Sequence, residues 1–150
     1  MFVEKPRKIY CCYSIWQESY DKIKAIATTG LVQIQFIQGF DVLNIIEANS
    51  WLIIDDLAES IEQWSQDMLQ LFTVRSHHEH ISTLVLHNLF HQSKCMRTLA
   101  LNCTYYIIYR VDRDSISLIA LNKQIYPGTP KFLLSAYNQA TNKPYGYIQI

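Results

Sequence analysis

The sequence predicts an α/β fold built on a mostly parallel sheet, on three observations. Segments with strand character alternate with segments of helical spacing along almost the whole chain, the order that βαβ units produce. The run Trp51-Leu-Ile-Ile54 is apolar without alternation, as expected of a strand covered by helices on both faces. Gly and Pro are scarce, four of each, which argues against disorder and all-turn architectures. The 150 residues amount to about one domain, long enough to bury a real core.

In chain order, Ile9-Tyr-Cys-Cys-Tyr13 predicts the first strand. Ser14 or Trp16 then opens a helix through Ile23 and Ile26, apolar on one side, and Thr28-Thr29-Gly30 breaks it. Leu31–Ile37 alternates loosely enough for a second strand. Phe40–Ala48 has no clear period, a helix being one reading, and the strand at 51–54 follows it. Ile61, Trp64, Met68 and Leu71 fall at helical spacing and predict a helix with a core-facing stripe. Arg75-Ser-His-His-Glu-His80 reads as a polar loop, Thr83-Leu-Val-Leu86 as a buried strand, and Tyr105-Tyr-Ile-Ile-Tyr109 as another. A helix starts at Ser115 and ends at Pro127-Gly128. Thr129-Pro130 reads as N-cap plus proline in the first turn of a helix reaching about Asn138. Asn142-Lys-Pro144 is a turn and Tyr145–Ile150 a last strand.

Composition excludes several function classes. Thirteen basic and thirteen acidic residues balance, so no basic footprint argues for broad nucleic-acid binding. The start of the chain, with Glu4, Lys5, Arg7 and Lys8, is no secretory signal, and no apolar stretch approaches a membrane span. An intracellular chain with its four cysteines reduced is expected, with Cys11-Cys12 lying in a strand. Hydrophobic residues make up 49%, and the ten Tyr suit sheets and interfaces.

Two groups of residues could carry chemistry. Asp55 and Asp56 follow the apolar run directly, at the strand end that faces a ligand crevice in parallel sheets. A carboxylate there can hold Mg²⁺, directly or through water, beside nucleotide phosphates, which is the Walker B pattern. The same pair could instead cap the next helix. The second group is histidine: His77, His78, His80, His87 and His91 all lie in one window, with Cys95 just after. His87 and His91 stand four apart, but no Cys-x-x-Cys or His-Glu-x-x-His pattern accompanies them, so a polar loop is favoured over a zinc site.

The ordered set of segments carries a resemblance. After the Asp55-Asp56 strand come Leu71-Phe-Thr-Val-Arg-Ser-His-His-Glu-His-Ile-Ser82, Leu84-Val-Leu-His-Asn-Leu-Phe90 and Arg97-Thr-Leu-Ala-Leu-Asn102. Tyr105–Asp114, Gln124-Ile-Tyr-Pro-Gly128 and Ala140–Tyr147 complete it. From Ile9 onward the chain resembles the genome-packaging ATPases of the FtsK/HerA superfamily, above all those of large DNA viruses, adintoviruses and Maverick/Polinton elements. The resemblance implies a P-loop NTPase fold (RecA-like, three-layer, mostly parallel). It implies ATP and Mg²⁺ as cofactors, and a homo-oligomeric ring that drives double-stranded DNA into a procapsid. Asp55 then matches the Walker B Mg²⁺ ligand, acting through water, and Asp56 the acidic residue that polarises the attacking water. Arg75 matches a basic residue that could serve as an arginine finger, with Arg97 as the rival; a structural ion pair is the alternative for each. His87-Asn88 stands where relatives carry Gln-Asn at the end of the sensor strand, and imidazole would make sensing depend on pH.

One departure is large. No Gly-x-x-x-x-Gly-Lys-[Ser/Thr] is present: the glycines are Gly30, Gly39, Gly128 and Gly146, and none precedes Lys-Ser or Lys-Thr. The resemblance therefore implies a single partial ATPase domain, an incomplete fold without its first strand, inactive by itself. In the superfamily that strand lies between the fourth and fifth, so the strand at 105–109 is expected to pair with 83–86 or leave a gap. A strand from residues 1–10 inserted there would oppose the reading. The alternative function is a non-catalytic α/β interaction or assembly module that supplies Arg75 to a partner.

Overall fold

Among the described residues four strands form one sheet in which every neighbouring pair is parallel, in the order β2-β1-β3-β4. The strands are β1 (Lys8–Tyr13), β2 (Gln33–Gln38), β3 (Ser50–Asp55) and β4 (Ser82–Leu86). This computed structural model describes residues 5–30, 32–57, 63–86, 94–111, 115–129 and 131–150. The chain divides into two compact units, one ending at Asn102 and the other running from Cys103 to Ile150.

Register assigns the strand residues to two faces. Tyr10, Cys12, Leu52, Ile54 and Val85 share one face with Ile37, and it holds the core. Phe40, Val42 and Ile46 close over this face from the segment after β2, which is a series of turns rather than a helix. Met68 and Leu71 reach it from α2 (Ser65–Gln70) and the π-helical turn Leu71–Arg75 that continues it, and Cys95 and Leu99 from α3 (Lys94–Leu101). The buried Tyr10 hydroxyl is satisfied by the Ile45 carbonyl and Glu47 Oε1, each at 3.1 Å.

The other face carries Ile34, Phe36, Cys11, Tyr13, Trp51, Ile53, Asp55 and Leu84. Helix α1 (Glu18–Thr29) packs there through Tyr20, whose ring meets Phe36. Most of α1 is exposed, Ile23 and Ile26 included. Thin cover corrects one expectation: β3 is not sealed evenly, since Ser50, Leu52 and Ile54 are buried while Trp51, Ile53 and Asp55 are half-buried. Leu84 on edge strand β4 is 45% exposed.

Two further differences lie in this unit. The predicted polar loop at 75–80 is largely helical, with the π turn running into a helical turn at Ser76–His78. Arg75 pairs with Glu79 at i,i+4, which supports the helical turn, while Thr73 and Ser76 donate to the carbonyls four residues back. Helix α3, in a segment that read only as polar, is set by Cys95 and Leu99, which bury one side while Lys94, Arg97 and Thr98 face solvent.

In the second unit the strand at 105–109 shortens to β5 (Ile107–Tyr109). It pairs antiparallel with β6 (Tyr147–Gln149), not with β4. β1, near the start of the described residues, lies between β2 and β3 in the first unit's sheet. Helix α4 (Ser115–Ile125) ends as predicted, but α5 (Phe132–Ala140) begins later than Thr129. The buried Asn122 side chain explains the shift. Its Nδ2 donates to the Thr129 carbonyl and its Oδ1 accepts from the Leu133 N–H, both at 2.9 Å. Asn122 thus caps α5 from a distance and holds Thr129 in the preceding turn. Tyr137 of α5 accepts from the Val111 N–H at 2.7 Å and donates to the Tyr109 carbonyl at 3.3 Å, fixing β5 to the helix.

Candidate functional site

Parallel register brings the carboxyl ends of all four strands to one edge, where Gln38, Tyr13, Asp55 and Leu86 stand in a row. In open α/β sheets ligands bind outside this edge. Asp55 is its carboxylate, half-buried at the end of β3. The next residue, Asp56, is exposed and has φ +53°, in the left-handed region. Asp tolerates that conformation better than most residues because its short side chain bonds locally. The chain turns sharply there, so consecutive carboxylates are presented from different backbone conformations rather than as two steps of one strand.

Asp55 has a partner that sequence reading missed. The Tyr20 hydroxyl donates to Asp55 Oδ2 at 2.5 Å. Tyr20 is 4% exposed, and its ring lies 5.4 Å from Tyr13, 5.4 Å from Trp16 and 5.8 Å from Phe36. Trp16 in turn lies edge-on to Tyr13 and Phe36 and donates through its indole N–H to Asp21. Burial, reinforced by the bond to Asp55, pushes the Tyr20 phenol well above its ordinary pKa, so it stays a neutral donor at all physiological pH values. The signal in the sequence was the aromatic series Tyr13, Trp16 and Tyr20, which runs from the end of β1 into α1. Cys11, on the same sheet face, has its thiol pushed up to about 11 by burial and by the Asp55 charge, so the protonated thiol predominates at neutral pH.

The remaining predicted residues are dispersed. Arg75 is committed to its own chain. Its Nε donates to both Glu79 oxygens at 3.0 and 2.9 Å, Nη1 to the Leu43 carbonyl at 3.1 Å and Nη2 to the Ile46 carbonyl at 3.5 Å. A guanidinium spent this way buttresses the turns over the core, which is the structural alternative to an arginine finger. Arg97 stands exposed on α3. His87 and Asn88 lie outside the described residues, as does His91. His77, His78 and His80 are exposed, and no three His, Cys, Asp or Glu among the described residues gather as a metal site.

Hard carboxylate oxygens at Asp55 and Asp56 suit Mg²⁺, with its preference for oxygen ligands and retained water. ATP finds less: the backbone cradle and lysine of a P-loop are missing from this sequence. No helix among the described residues is long and apolar enough to cross a membrane. No protein-family model, curated protein or solved structure matches the chain. Function is therefore read from the site, since an α/β sheet serves many chemistries.

Proposed function

We propose that this chain is the Walker B-bearing portion of a DNA-packaging ATPase of the FtsK/HerA type. What carries the reading is the end of β3: an acidic pair at the carboxyl edge of a parallel sheet, on a strand directly beside β4, the counterpart of the sensor strand. In this reading Asp55 would hold Mg²⁺ through water, Mg²⁺ would supply charge neutralisation at the phosphates, and Asp56 would polarise the attacking water. Arg97 is the better arginine finger, because Arg75 is bound internally. His87 and Asn88 would follow β4 as phosphate sensors. The ring assembly and double-stranded DNA belong to the same proposal.

Phosphate binding must come from residues other than these, so the chain alone hydrolyses ATP no faster than its Asp56→Asn variant. Turnover on the purified chain that matches an intact packaging ATPase and is abolished by Asp56→Asn would refute this reading. An in-frame P-loop in the DNA upstream of Met1 supports it.

A second reading, a non-catalytic interaction module, is favoured by the apolar side chains left in solvent, among them Ile15, Ile26, Leu84, Tyr109 and Tyr147. Light scattering with an intact ATPase separates the two. Complex formation with stimulated turnover favours the module, and loss of stimulation in Arg75→Ala would return the finger role to Arg75.

A further inference from the structure

The most constrained side chain near the acidic pair is Tyr20, and its ring and hydroxyl have separable tasks. The ring is held among Tyr13, Trp16 and Phe36 and is the main buried anchor of a helix that is otherwise exposed. Packing needs no hydroxyl. The hydroxyl is nevertheless aimed at a single oxygen, Oδ2 of Asp55, at 2.5 Å. A neutral donor on one carboxylate oxygen restricts rotation of the group while leaving its charge intact. Oδ1 is not part of that bond.

We propose that Tyr20 is a positioning residue that holds the Asp55 carboxylate for a hydrated divalent cation; this rests on the metal reading of Asp55. It touches neither metal nor nucleotide and acts only through Asp55. Outer partners of this kind usually contribute roughly 10- to 100-fold to metal affinity. A hydroxyl that merely blocked the carboxylate would act in the opposite direction.

Mn²⁺ titration of the full chain, followed by electron paramagnetic resonance of the free ion, tests this. Four proteins are compared: the unaltered chain, Tyr20→Phe, Tyr13→Phe and Asp55→Asn. Tyr20→Phe keeps the ring in its aromatic setting, so the fold and thermal midpoint should persist. Tyr13→Phe removes a neighbouring hydroxyl that does not reach Asp55. The expected result is Mn²⁺ binding that Asp55→Asn abolishes, Tyr20→Phe weakens at least tenfold and Tyr13→Phe leaves unchanged. Binding that depends on Asp55 but is equal or tighter in Tyr20→Phe overturns the positioning role and leaves the metal reading standing. Mn²⁺ binding that ignores Asp55→Asn, or no binding at all, overturns the metal reading and the inference with it.

Discussion

Arg75 and Asp56 are the residues whose setting most changes their meaning. The carbonyls of Leu43 and Ile46 depend on the Arg75 guanidinium, so Arg75→Ala should destabilise by about 1–3 kcal/mol through those bonds. Urea denaturation should show a lower midpoint with an unchanged slope. Hydrogen bonds from Arg75 hold the Glu79 carboxyl below the usual carboxylate range. Its folded pKa therefore lies below its unfolded one. The stability it contributes is present above the ordinary Glu range and is lost as pH falls through the lower folded value. Glu79→Gln should thus narrow the stability difference between pH 7 and strongly acidic pH, which chemical denaturation across that range measures. At Asp56 the left-handed backbone sets the penalty: Asp56→Ala should cost roughly 1 kcal/mol and Asp56→Gly less. Equal losses for the two variants would mean that side-chain contacts, not φ, govern the position.

Among the elements, β3 and the β5–β6 ribbon differ strongly in burial and pairing. Leu52 is fully buried in a strand paired on both sides, and Leu52→Ala should cost about 2–5 kcal/mol. The ribbon has three residues per strand and one exposed face, with Tyr109 and Tyr147 side by side on it. Its approach to α5 is secured by Gly146, where a Cβ would collide with the carbonyl oxygens of Ala140 and Lys143. Gly146→Ala should therefore destabilise by roughly 1–3 kcal/mol, because backbone rather than a flexible side chain must yield. Native-state hydrogen exchange should find the amides of Cys11, Leu52 and Ile54 slowest and those of Ile108 and Ile148 markedly faster. Equal protection in both groups would contradict that ranking.

For the whole molecule, local features were legible in the sequence and contacts between distant residues were not. Strands at 9–13, 31–37, 51–54 and 83–86 were legible because local composition and apolar runs determine them, although β2 itself spans Gln33–Gln38. The position of Asp55 at a strand end was legible for the same reason, as the apolar run stops there. Element ends were less so: Asn122 moved the start of α5, and the Arg75–Glu79 pair kept a polar segment helical. The Asn122 contacts have no periodicity to read, whereas Arg75 and Glu79 stand at the i,i+4 spacing of a helix, which the polar-loop reading passed over. The pairing of β5 could not be read either, because a short Tyr- and Ile-rich strand fits a parallel or an antiparallel partner equally well. By itself the sequence determined an α/β chain, a set of strands, an acidic pair in a strand-end context and the missing phosphate loop. Tertiary structure alone decided that Tyr20 bonds Asp55, that Arg75 is spent on carbonyls of its own chain, and that β5 joins β6. The reason is physical: hydrophobic period and turn chemistry act over a few residues, whereas these contacts join positions 29 to 42 residues apart and exist only once the sheet and helices have been assembled.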